Sequence, residues 1–110
     1  MKFDETQTTP EGTVYKIGAG CVVIPTPDHP TGGGVALTTD WCDAILADVD
    51  GGTHRQLDRW TDTGETVDTR AGESRVLELE QDAFSQTRTV RLSVVDVADI
   101  DMALREGDGR

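Results

Sequence analysis

Apolar and polar residues alternate in several short stretches near the start of the chain. Residues 13–18 place Val and Ile among polar neighbours, and residues 20–24 form a short run that is mostly apolar and β-branched. Both patterns are typical of β-strands, and the Gly-Ala-Gly junction favours a turn or bulge. Pro25 ends the second strand, because proline has no N–H to donate to a neighbouring strand. Residues 35–39 predict a further strand.

A second pair of strands is predicted near the end of the chain. Residues 74–80 and 87–97 both alternate between apolar and polar side chains, and residues 81–86 link them as an antiparallel hairpin. Val95 and Val97 break the alternation of the later strand. This break predicts a bulge or burial on both faces at that point.

The segment between these strand pairs has two interpretations. A helix over residues 41–50 has Asp40 as its N-cap, Gly51 just beyond its end, and apolar residues spaced i, i+4, i+8 on one face. Alternatively, residues 45–49 form a strand that turns at the double glycine into residues 55–60. The capping residues favour the helix, but the strand remains open.

The end of the chain changes to a helical period. Apolar residues follow i, i+3, i+4 spacing from Ile100, Asp96 or Asp99 serves as the cap, and Gly107 stands where a helix stops. The pattern predicts a short helix over residues 98–106.

Three polar segments lie before or between the predicted strands. Residues 1–12 predict a flexible N-terminal arm, ordered only when a partner holds it. Residues 25–34 form a long loop rich in proline and glycine, and residues 61–74 predict a turn-rich surface with room for one short edge strand. The remaining residues, 13–110, predict one domain.

These elements predict a mainly β fold, a small antiparallel barrel or sandwich with one or two short helices. At 110 residues the chain is long enough for a single core, though not a generous one. Only five residues are aromatic, so few large side chains are available to fill it.

The charge balance narrows the choice of function. The chain has 21 acidic and ten basic residues, a net charge of -11, and only two lysines. Self-repulsion at this density destabilises a fold in dilute buffer, whereas molar salt shortens the screening length to about 3 Å. The composition is typical of proteins from organisms that accumulate salt; an ordinary acidic domain or a nucleic-acid mimic is the alternative. Nucleic-acid binding through a basic patch is disfavoured.

Nucleotide-binding motifs are incomplete in this chain. The glycines at 32–34 lack the lysine and hydroxyl residue of a phosphate-binding loop. Gly18 and Gly20 begin a dinucleotide fingerprint, but Val23 stands where its third glycine belongs.

Metal and catalytic patterns are equally weak. The four candidate zinc ligands are too widely spaced for a usual structural zinc site; they are Cys21, His29, Cys42 and His54. An acidic stretch from Asp48 lacks the glutamate that closes a calcium loop. Two histidines in loop-like segments do not suggest a nucleophile–base pair. We therefore expect no cofactor, no metal and no catalysis. Free, buried thiols are expected for the two cysteines because an intracellular setting disfavours disulfides, although a Cys21–Cys42 disulfide remains open.

The expected function is a non-catalytic structural or assembly subunit from a halophilic system. One version is a small virion protein of a tailed virus, such as a head–tail connector, stopper or capsid decoration protein. The alternatives are a binding or regulatory module and, third, a small enzyme. We expect a ring-like homo-oligomer and other assembly proteins as partners, no membrane span, and a cytoplasmic or virion location without a signal peptide. The candidate interface residues are Phe3, Pro25, Pro27, His29, Pro30, Trp41 and Trp60. For both tryptophans core packing is the favoured interpretation, and an exposed subunit interface is the alternative.

Overall fold

The computed structural model of the protein describes residues 5–18, 20–83 and 85–108. Its elements form two four-stranded antiparallel sheets and two helices. The first sheet contains, in spatial order, β1 (Glu5–Thr8), β2 (Val14–Gly18), β3 (Cys21–Pro25) and β4 (Gly34–Thr38). The second contains β5 (Gly51–Arg55), β6 (Asp58–Thr69), β7 (Gly72–Ala83) and β8 (Gln86–Ser93). Helix α1 (Thr39–Ala47) connects the sheets, and α2 (Val94–Asp108) follows β8.

This architecture confirms the predicted mainly β, antiparallel fold. A sandwich-like arrangement describes it, and neither sheet closes into a barrel within the described part of the chain. Every strand pairs with its sequence neighbour inside its own sheet, so each sheet is a simple meander.

One hydrophobic core joins both sheets and both helices. Alternate strand residues point into it because side chains change faces at every position of a strand. Among the described residues, fifteen apolar ones are buried: Tyr15, Val22, Ile24, Val35, Leu37, Trp41, Cys42, Ile45, Trp60, Leu77, Leu79, Leu92, Val97, Ile100 and Leu104. Both tryptophans are therefore core residues, at 1% and 4% exposure.

The helix predicted over residues 41–50 is confirmed as α1, and the strand alternative is wrong. The helix ends at Ala47 with Asp48 as its C-cap, three residues before the predicted end, and Gly51 begins β5 instead. The N-cap of α1 also differs from the prediction. The Thr38 hydroxyl accepts a hydrogen bond from the Trp41 backbone N–H at 3.3 Å, and Asp40 lies in the first turn instead. An N-cap oxygen satisfies an N–H that has no partner within the helix.

Helix α2 begins at Val94, four residues before the predicted start at residue 98. The Ser93 hydroxyl accepts a hydrogen bond from the Asp96 N–H at 3.1 Å, and the Ser74 hydroxyl of β7 accepts one from Val95 N–H at 3.2 Å. The predicted cap by Asp96 or Asp99 is therefore wrong. The break in alternation after Val94 marks the change to a helical period, not a strand bulge.

The segment over residues 61–74, predicted as turns, instead belongs mostly to the two longest strands. β6 and β7 pair as far as Thr69 and Gly72, beyond the ends of β5 and β8. Threonine is β-branched and suits an extended backbone. The result is a two-stranded ribbon that is polar on both faces, which is why apolar alternation did not reveal it.

The N-terminal segment also differs from the predicted arm over residues 1–12. Glu5–Thr8 form β1, paired antiparallel with β2. The Tyr15 hydroxyl donates a hydrogen bond to Gln7 Oε1 at 2.9 Å across this pair. The beginning of the predicted arm, residues 1–4, lies outside the described residues.

Candidate interface at the proline loop

The long loop predicted over residues 25–34 connects two adjacent strands. Pro25 ends β3, as predicted, and pairs with Gly34 of β4. The intervening residues 26–33, called the proline loop below, close a hairpin and are folded by their own backbone. Thr26 N–H donates to Gly33 O at 3.0 Å, and His29 N–H donates to Thr26 O at 3.1 Å. These bonds give the loop a defined shape without a partner.

The proline loop is held against β8 by an arginine. Arg88 Nε donates to Gly32 O at 2.8 Å, and Arg88 Nη2 donates to Thr31 Oγ1 at 2.9 Å. Gly33 lies so close that a Cβ there would stand 2.9 Å from Arg88 Nε, and its φ of +77° also favours glycine. Thr31 Oγ1 donates in turn to Gln86 Oε1 at 2.6 Å. The sequence pattern did not reveal this anchor, because its partners are more than fifty residues apart.

The His29 side chain forms a hydrogen bond within the proline loop. Its Nδ1 accepts a hydrogen bond from the Thr31 backbone N–H at 3.2 Å. An imidazole nitrogen that accepts carries no proton, so in the neutral ring the proton is on Nε2. The half-buried His29 ring thus stabilises the shape of the loop through this hydrogen bond.

A surface pocket of about 440 Å³ lies between the proline loop and β8. Four of the seven candidate interface residues line it: Pro25, Pro27, His29 and Pro30. Thr87, Thr89 and Val90 of β8 form its other side. Its rim mixes proline rings with hydroxyl groups, which suits contact with a polypeptide better than enclosure of a small apolar ligand.

The remaining candidates do not join this pocket. Trp41 and Trp60 are buried in the core, so they do not form the exposed interface that the sequence offered as an alternative. Trp60 Nε1 donates to Asp48 O at 2.7 Å, which fixes the ring beneath β5. Phe3 lies outside the described residues.

The structural roles of two further residues, Gln81 and Asp96, were not predicted from the sequence. The Gln81 side chain accepts from Ala36 N–H at 2.9 Å and donates to Ala36 O at 3.2 Å, so it pairs with the β4 backbone as a neighbouring strand would. Asp96, only 1% exposed, accepts from the Thr9 hydroxyl at 2.6 Å. The Ser-x-x-Asp spacing before α2 is a capping signal, but the Asp96 carboxylate turns to the N-terminal segment instead.

Both cysteines are free thiols. Cys42 is buried in the core, and burial, followed by the nearby Asp101 and Asp43 carboxylates, raises its pKa to about 12. Burial also raises the pKa of the half-buried Cys21 thiol. A thiol with a raised pKa is a poor nucleophile, because the thiolate is the reactive form.

The acidic side chains do not gather into a metal site. Among the described residues, no three His, Cys, Asp or Glu side chains are placed to hold one ion. The Asp99 carboxyl has a raised pKa, first because of burial and then because of Asp96 and Glu106. A second pocket of about 440 Å³ lies at the β5–β6 turn, beside the half-exposed Leu57, and includes no candidate interface residue.

Comparisons with protein-family models, with curated proteins and with solved structures find no match for this chain. Among the described helices, none is both long and apolar enough to cross a membrane.

Proposed function

We propose that the protein is a non-catalytic structural or assembly subunit from a halophilic system, one that works in molar salt by binding copies of itself and other assembly proteins. In its concrete form this is a small virion protein of a tailed virus, either a head–tail connector or stopper or a capsid decoration protein. The observation that carries the proposal is the pocket between the proline loop and β8, on a fold whose surface is densely acidic.

The placement of charge supports the halophilic part. Among the side chains that the structure describes, Asp96 is the only buried carboxylate. Some acids pair with arginine, as Glu80 and Asp82 do with Arg59 at 2.9 Å. With 21 acids and ten bases, most of the excess negative charge faces solvent and repels itself at low ionic strength.

One cross-strand pair illustrates this repulsion. Asp68 of β6 lies directly opposite Glu73 of β7 on the polar ribbon. Like charges at opposed positions of a sheet are destabilising in ordinary buffer. Counter-ions at molar concentration screen them, because the Debye length falls to about 3 Å at about 1 M salt.

The pocket also favours a second candidate, a stand-alone binding or regulatory module. Such a module would be a monomer or dimer that uses the same surface for a different protein. Oligomeric state separates the two candidates.

The test combines folding and molar mass at two salt concentrations. We expect the chain to be folded and oligomeric in about 3 M KCl, by far-UV circular dichroism and light scattering, and to lose both properties in dilute buffer. The double variant Asp68→Asn, Glu73→Gln should need less KCl to fold, since it removes one opposed pair. A chain that is folded and monomeric at both salt concentrations would contradict the proposal, and a salt-independent fold would remove its halophilic part.

A further inference from the structure

Two of the four sheet edges in the described fold are already protected. The edges are β1 and β4 in one sheet, and β5 and β8 in the other. Gln81 occupies the outer edge of β4 through both backbone groups of Ala36. β5 is five residues long, begins with two glycines and has a register shift between Thr53 and Arg55. Irregular strands are poor templates for further pairing, so β1 and β8, whose ladders have no register shift, are the edges left to accept a further strand.

The orientation of the β8 backbone follows from a bond on the other side of β7. Asp82 N–H donates to Leu57 O at 2.9 Å, toward β6 and away from β8. Asp82 lies opposite Thr87 in the β7–β8 ladder. Because the Asp82 N–H points away from β8, Asp82 and Thr87 form one of the ladder's pairs that are not hydrogen-bonded to each other. The N–H and C=O of Thr87 therefore point outward and, by alternation, so do those of Thr89. No described residue bonds to these groups, and both threonines line the pocket.

The same reasoning applies to β1. Thr9 N–H donates to Thr13 O at 2.9 Å, toward β2. Alternation then directs the backbone groups of Thr8 and Thr6 outward. Each edge thus presents two outward-facing threonines separated by one residue, and the two edges match in spacing.

Charge selects which edges meet. β8 carries Arg88 and Arg91 and no acidic residue, in a chain with a net charge of -11. β1 carries Glu5 and no basic residue. Antiparallel pairing of β8 with β8 through Thr87 and Thr89 would place Arg88 opposite Arg88. Pairing β1 with β1 brings no opposite charges together, whereas pairing β1 with β8 through the outward threonines places Glu5 diagonally across from Arg88.

Taking the chain to be an assembly subunit, as proposed above, we propose that β1 of one copy adds to β8 of the next copy as a fifth strand of its second sheet. The outward groups of Thr6 and Thr8 bond those of Thr87 and Thr89. The proline loop forms the outer wall of the groove that receives the strand. Because the two edges differ, the contact is head-to-tail and builds a ring, or an open filament where the rotation does not close.

Proline substitutions at outward positions test this contact selectively. Thr89→Pro removes an N–H that points away from β7, so the β7–β8 ladder keeps its hydrogen bonds. Thr6→Pro does the same for β1. In about 3 M KCl each variant should fall to the mass of a monomer, 11.9 kDa, by light scattering. Thr89→Ala is the matched control: it retains the N–H and should assemble like the unmodified chain.

A mixing experiment tests the head-to-tail arrangement. The Thr6→Pro chain keeps an intact β8 and the Thr89→Pro chain keeps an intact β1, so together they should form a one-to-one dimer that grows no further. Circular dichroism verifies the fold of each variant, and Thr87→Pro replaces Thr89→Pro where that variant does not fold. Variants that assemble like the unmodified chain, or fail to form the mixed dimer, overturn this contact but leave the assembly function standing. An unmodified chain that is monomeric in molar salt overturns both.

Discussion

Replacing Gln81 by methionine tests whether one side chain protects the edge of β4. Methionine has a similar length and keeps the apolar contacts, but it cannot pair with the Ala36 backbone or with Asp58 Oδ1, to which Gln81 Nε2 donates at 2.8 Å. The change therefore removes three hydrogen bonds and leaves the N–H and C=O of a half-buried residue without their partner.

The magnitude follows from these bonds. Each neutral hydrogen bond contributes a net of about 1 kcal/mol, and a donor or acceptor left unpaired adds the cost of its lost solvation. Asp58 and the β4 edge regain some water, so we expect the free energy of unfolding to fall by about 2–3 kcal/mol. For a domain of this size the melting temperature should drop by about 10 °C.

Urea denaturation and thermal melts in about 3 M KCl, followed by circular dichroism, measure both quantities. Gln56→Met is the matched control: Gln56 is exposed, and no described residue bonds to its side chain. A loss below about 0.5 kcal/mol for Gln81→Met, no greater than for the control, would refute the reasoning. The exposed β4 edge should also make the variant aggregate more readily.

Two further predictions concern buried groups. Asp96→Ala should lower the free energy of unfolding by about 2–4 kcal/mol, because it leaves the buried Thr9 hydroxyl without its acceptor and removes hydrogen bonds to a carboxylate. Urea denaturation measures this loss. The same substitution at the exposed Asp28 is the control and should change the stability little. The free energy of unfolding should also decline as pH rises from about 9 toward about 12. The Cys42 thiol of the unfolded chain loses its proton near pH 9.0, whereas the folded thiol, with its pKa raised to about 12, retains it. The Cys42→Ala variant should therefore lose less stability over this pH range. An equal loss in the variant would contradict the raised pKa of Cys42.

Local patterns were sufficient for the elements that bury a face. β3 and β8 were predicted because apolar residues lie at the positions that meet the core, and α1 because its apolar spacing and flanking residues agree. The polar ribbon of β6 and β7 was missed, since it buries little and its threonines resemble a turn-rich surface. The start of α2 was missed because serine at residue 93 is an inconspicuous signal beside three aspartates.

Local sequence patterns likewise predicted only part of the candidate interface. The proline loop was recognisable from composition alone, and its three candidate residues line one pocket together with Pro25. The anchor of that loop on Arg88, and the pairing of Gln81 with Ala36, join residues more than forty positions apart. Local periodicity does not report such contacts. Core packing was the favoured interpretation for both tryptophans, because they are the two largest apolar side chains, and the structure buries both.

The bond between Thr9 and Asp96 joins the first hairpin to the last helix across 87 positions of the chain. During synthesis the first hairpin leaves the ribosome long before its carboxylate partner exists. The four strands of the first sheet, which ends at Thr38, can therefore pair before Asp96 is made, but Thr9 lacks its buried acceptor until then. The contact that fixes the turn between β1 and β2 to α2 therefore forms only after residue 96 has been made, late in the order in which the described elements appear.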